Sequence, residues 1–101
     1  MSEKEKVVKL NEQRDRGEHA KRLLEDPLFV EACKKVRDDI FEEFELTKWN
    51  DRDRREFLDK ELRAFKRVLT YLKGWMLTGE EARKELVRLK DPSRIRRMMS
   101  G

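Results

Sequence analysis

The sequence predicts an all-α protein: an antiparallel helical hairpin of two long helices, residues 27–46 and 51–77, with shorter flanking helices and a tendency to self-associate. Three observations predict it. Apolar residues after position 56 recur at steps of three and four, the helical period. Charged residues make up 48% of the 101, against an average of about 25%, which suits long helices with a narrow core and wide solvated faces. Two prolines and four glycines are too few for a flexible linker protein, and the five Phe, two Trp and one Tyr argue against disorder.

Residues 2–24 are rich in Glu, Lys, Arg and Gln, which favour helix, but their apolar positions are sparse: Val7, Val8, Leu10, Ala20, Leu23 and Leu24. Gly17 interrupts them at about 1 kcal/mol relative to Ala. A helix so thinly striped needs a partner to be stable. The whole chain reads as a single helical domain, residues 1–101, with 1–10 and 93–101 as flexible arms.

Asp26-Pro27 is the clearest boundary. Proline at the first helical position loses an N–H that would be unpaired anyway, and the preceding aspartate can accept from the first turn. The second helix therefore starts at Pro27, with Phe29, Ala32, Cys33, Val36, Ile40 and Phe44 on its buried face and Leu28 and Phe41 on its flank. Glu42, Glu43 and Glu45 sit near its C-terminus, where the helix dipole disfavours acids, so they are expected to face cations elsewhere. Thr47–Asp51 lacks periodicity and reads as the hairpin connection, with Asn50 or Asp51 capping the third helix and Trp49 either covering the end of the core, the favoured reading, or standing exposed as an anchor for a partner.

The third helix carries two apolar rows rather than one. Phe57, Leu58, Leu62, Phe65, Leu69, Leu72 and Met76 form the first; Ala64, Val68, Tyr71 and Trp75 form the second. A surface helix needs one apolar stripe of about 100°. The first row should meet the second helix, leaving Ala64, Val68, Tyr71 and Trp75 as the candidate protein interface, taken by a terminal helix or another chain. Gly74 lies inside this helix as a close approach or a tolerated weak point. Thr78 with Glu81 is a capping-box pattern that can restart a helix, unless Gly79 lies within a continuous one. Ala82, Leu86 and Leu89 give a last short stripe before Asp91-Pro92 and the basic tail.

Counting excludes most chemistry. One His and one Cys leave no catalytic set beyond a Cys33–His19 pair, and Cys33 on an apolar face reads as a small buried thiol. The four isolated glycines form no phosphate loop or dinucleotide fingerprint. Asp38 with Glu42 and Asp39 with Glu43 share helix faces and could hold a divalent cation, but in a chain with 22 acids a solvated acidic face is the better reading. No catalytic residue, cofactor or metal is predicted, and the chain reads as no enzyme. No apolar run approaches the roughly 20 residues of a membrane span, and the charged N-terminus is not a signal peptide. A lone cysteine gives no sign of an oxidising compartment.

The net charge of +4 is uneven: residues 27–50 carry four cations against six anions, residues 51–77 eight against five, and residues 78–101 seven against four. Cations on the third helix are interleaved with acids, so the candidate nucleic-acid contact is the cleanly basic tail, Arg94, Arg96 and Arg97. No helix-turn-helix spacing is present.

Residues 16–82 carry a resemblance. The pattern Arg16-Gly17-Glu18-x-Ala20-x-x-Leu23-Leu24-x-Asp26-Pro27-x-Phe29-x-Glu31-Ala32, and the later run Tyr71-Leu72-Lys73 through Thr78-Gly79-Glu80 and Ala82, resemble small helical proteins encoded among the head and packaging genes of tailed bacteriophages. The first 15 residues and the tail lie outside it. The resemblance implies a non-enzymatic virion structural or assembly protein, in the bacterial host cytoplasm or the virion, partnered with itself or a larger phage assembly. It carries over no catalytic residues. The alternatives are a nucleic-acid-binding packaging factor resembling a small terminase subunit, and a phage-encoded inhibitor gripping a host protein through its acidic 38–45 face.

Overall fold

The computed structural model describes residues 2–90, and the described chain is helical throughout: α1 Glu3–Glu25, α2 Pro27–Leu46 and α3 Arg52–Leu89, with no strand among the described residues. The Asp91-Pro92 boundary, the arm at 93–101 and Arg94, Arg96 and Arg97 lie outside them. α1 begins at Glu3, so most of the segment expected as an N-terminal arm carries helix. The Ser2 hydroxyl accepts from the Glu5 N–H at 3.1 Å, and Glu3 and Glu5 place acids at the positive end of the helix dipole.

The boundaries follow the expected chemistry. Asp26 is extended (φ −67°, ψ 122°), and its carboxylate accepts from the N–H groups of Leu28 at 2.9 Å and Phe29 at 3.0 Å, with Pro27 opening α2. Such a cap contributes about 1 kcal/mol. α2 closes where the Thr47 hydroxyl donates to the Glu43 carbonyl at 2.6 Å. Of the two candidate caps of α3 it is Asp51 that serves, accepting from the Arg54 N–H at 3.1 Å.

Two expectations about length are corrected. α3 does not stop near residue 77 but runs for 38 residues, with Thr78 and Glu81 inside it rather than restarting a helix. The flanking N-terminal helix is not short: α1 has 23 residues against 20 in α2, and Gly17 does not interrupt it. Both corrections come from one packing event in which Gly17 and Gly79 meet.

The chain divides into two compact units. The terminal unit joins Met1–Lys21 with Lys73–Gly101, of which 2–21 and 73–90 are described. Here α1 and the end of α3 run in opposite senses: Lys6 lies 3.9 Å from Glu85, while Gly17 lies against Gly79 and the Trp75 carbonyl. Its core is small: Gly17, Ala20, Gly79, Ala82 and Leu86 are buried. A Cβ on Gly17 would stand 2.6 Å from the Gly79 Cα and 2.8 Å from the Trp75 carbonyl oxygen, and one on Gly79 would stand 2.9 Å from the Gln13 carbonyl oxygen. Only glycine permits backbones to approach this closely. Gly74, in contrast, faces open space with nothing within 4 Å of its Cβ position, so it is the tolerated weak point.

The central unit is Arg22–Leu72: the end of α1, all of α2 and the first 21 residues of α3. Its buried residues are Ile40 and Leu58, the latter 0% exposed. Phe29, Cys33, Asp39 and Phe44 on α2, and Asp59, Leu62, Phe65, Leu69 and Leu72 on α3, are half-buried. Met76, assigned by its spacing to this core, belongs to the terminal unit, where it lies beside Gly17 and Gly79.

Candidate protein-interaction face

The second apolar row of α3 is exposed. Ala64 is exposed, Val68 is 55% exposed and Tyr71 is 58% exposed, all within the central unit. Phe57, read from spacing as part of the first row, is half exposed and lines up with the second: 57, 64, 68 and 71 advance by seven, four and three. Trp75, the fourth predicted interface residue, belongs to the terminal unit, where the Arg16 guanidinium lies 5.1 Å above its ring. Arg16 of α1 therefore stands over this one residue of the row.

α2 supplies a matching row that the periodicity assigned to the core. Ala32 is exposed and Val36 is 43% exposed, in line with Leu28 at 74%. The correction has a simple cause. An α2 face with only one helix against it buries the narrow strip Phe29, Cys33, Ile40 and Phe44, and residues one step aside stay wet. Trp49 is likewise not a core cap, being 86% exposed in the connection.

A single ion pair fixes how the two rows stand. Glu43 accepts from the Arg54 guanidinium at 2.5 Å, and the Arg54 guanidinium also lies 5.3 Å over the Phe57 ring. Ala32, Val36, Asp39 and Glu43 advance by four, three and four along α2. Arg54, Phe57, Glu61, Ala64, Val68 and Tyr71 advance by alternate threes and fours along α3. Residues so spaced share a helix face. Since Glu43 and Arg54 meet, both rows flank the same side of the central unit. Sequence reasoning saw the α3 half of this face and missed the α2 half.

The remaining groups carry structure rather than chemistry. Glu43 finds the cation its position called for, and Arg55 donates to the Thr47 carbonyl at 3.4 Å with its guanidinium over Phe44. Lys35 donates to Asp39 at 2.9 Å, and that bond holds the lysine above its ordinary pKa. Lys60 pairs with Glu56 and Arg63 with Asp59 along α3. Exposed pairs of this kind are worth roughly 0.2–1 kcal/mol each. Cys33 is half-buried on α2 and His19 is exposed on α1. Among the described residues no group of three or more His, Cys, Asp or Glu is placed to hold a metal ion, and no helix is long and apolar enough to cross a membrane.

Fold and face together define a class: an all-helical chain whose central unit presents exposed apolar rows from two helices. No protein-family model matches the chain, and neither a curated protein nor a solved structure does.

Proposed function

We propose that this chain is a non-enzymatic structural or assembly protein of a bacteriophage particle, acting through helix–helix contacts. The observation that carries the contact half of this reading is the exposed apolar side of the central unit, Leu28, Ala32 and Val36 on α2 beside Phe57, Ala64 and Val68 on α3. Small proteins that work alone rarely leave aligned apolar rows in water; such a face marks a binding surface. The central unit is read here as an antiparallel hairpin of α2 with the opening of α3, which makes the face a two-helix platform. The resemblance of residues 16–82 to small proteins of phage head and packaging genes supports the phage half.

Nucleic-acid binding through Arg94, Arg96 and Arg97 is the second reading; on α3 the cations Lys60 and Arg63 are engaged by Glu56 and Asp59. Mass spectrometry of purified particles and of their assembly intermediates tests the leading reading. Recovery of the chain at a fixed ratio to the capsid protein is the expected result. Absence from both, with the protein abundant in the lysate, removes the virion assignment.

A further inference from the structure

The partner of the exposed side of the central unit can be argued from charge and register. α2 and the opening of α3 run against one another with a definite register: opposed residues have numbers totalling about 98, as in Glu43 with Arg54 and Phe44 with Arg55. The two buried residues of the unit, Ile40 and Leu58, have numbers with the same total. Continued along the pair, it sets Val36 level with Ala64, Ala32 with Val68, and Glu31 with Arg67. Glu31 lies one step outside Ala32 on α2, and Arg67 one step outside Val68 on α3, so they border the apolar rows on opposite outer edges. Both are exposed, and neither joins an ion pair among the described residues.

We infer that the occupant of this face is a second copy of the same chain, related by a two-fold axis running along the helices. That operation lays α2 of one protomer over α3 of its partner and preserves level. Leu28, Ala32 and Val36 then cover the partner's Val68 and Ala64, and every helix lies antiparallel to its neighbours, as in a four-helix bundle. The acid on the α2 edge meets the cation on the partner's α3 edge, and the symmetry makes that pair twice. The other face-to-face two-fold, across the helices, sets α2 on α2 and leaves Glu31 and Arg67 each facing its own kind of edge, so charge selects the first arrangement. This inference rests on the reading of the central unit as a helix-contact module and names its partner.

Sedimentation of the full chain should give twice its 12.3 kDa mass. Val68→Glu, with helicity retained by circular dichroism, should sediment as a monomer. Glu31→Arg alone and Arg67→Glu alone should each weaken dimerisation about tenfold, since each sets like charges together at two positions. An equimolar mixture of those two variants should dimerise as the wild type does, because the arginine of one chain then meets the original arginine's replacement, a glutamate, on the other. A monomeric wild-type chain at high concentration overturns the dimer, and a mixture no tighter than either variant overturns the two-fold that pairs Glu31 with Arg67. Neither result bears on recovery of the chain from particles, and a dimer found with no chain in particles would instead reject the phage assignment alone.

Discussion

The terminal and central units solve the same problem, helical stretches holding together, by opposite means. The terminal unit uses backbone proximity: Gly17 and Gly79 bring α1 and α3 so close that neither could bear a methyl group. Ala20 and Ala82 keep the seam narrow, and Leu86 is its one large buried side chain among the described residues. The central unit uses bulk: Ile40 and Leu58 are buried, and Phe29, Phe44, Phe65 and Leu62 are half-buried. Close backbones cover small side chains well, so little large apolar surface is needed. In the central unit, with bulkier side chains, residues such as Val36 and Val68 stand in water. The difference teaches that exposed apolar surface goes with a seam built from large side chains rather than from glycine and alanine.

The largest effect should come from emptying the bulky seam. Leu58 is fully buried, and truncation of a buried leucine costs about 2–5 kcal/mol. Leu58→Ala should lower the melting temperature and speed amide exchange along α2 and residues 58–72. Val68→Ala, on the exposed row, should change monomer stability by less than about 0.5 kcal/mol. Equal losses from the two variants would mean that the row at Val68 is buried in the folded chain and that the contrast between seam and face is wrong.

The glycine seam is tested by a matched pair on one helix. A Cβ at Gly79 would stand 2.6 Å from the Gly17 Cα, so Gly79→Ala must push α1 away, at about 1–3 kcal/mol. At Gly74 a Cβ meets nothing within 4 Å, and Gly74→Ala gains about 1 kcal/mol of helix propensity. The same substitution, five residues apart, is thus expected to act with opposite signs. Thermal melts of the two variants against the parent decide it, and a stabilising Gly79→Ala would remove the close approach from the account.

That pair also marks how far the sequence could be read. The Asp26-Pro27 boundary was legible because its chemistry is local: an acid that accepts and a ring that lacks an N–H. The phase of Leu58, Leu62, Phe65, Leu69 and Leu72 was legible because a buried row needs only its own period. Gly17 and Gly79 looked like weak points because their value lies in each other, 62 positions apart in the chain. The continuation of α3 past Thr78 was hidden for the same reason. At Ala32 and Val36 the period gave the apolar side of α2 correctly but not its buried width, which depends on how many helices press on it. Of the candidate face, the α3 half could be read as surplus; the α2 half needed the Glu43–Arg54 contact to align it.

The smallest effects concern pH, and they should separate the two units by sign. In the terminal unit the Arg83 guanidinium donates to Glu80 at 2.6 Å, and this bond holds the Glu80 carboxyl below the usual carboxylate range. A group whose folded pKa is depressed adds stability above its unfolded pKa, about 4.3 for glutamate, and loses it as pH falls through the folded value. In the central unit the Asp39 carboxylate holds Lys35 above its ordinary pKa, so that contribution is present below the unfolded lysine value and is lost as pH rises through the folded one. Acid should therefore loosen the turn of α3 around Glu80 first, and alkali the turn of α2 around Lys35. Both groups are solvated, so the changes are small and local, within the reach of amide chemical shifts rather than of global melting. Glu80→Gln should flatten the acid-limb response at residues 80–83 and leave the alkaline response at residues 35–39 untouched. A variant that altered both limbs would show that the two units do not respond as separate bodies of charge.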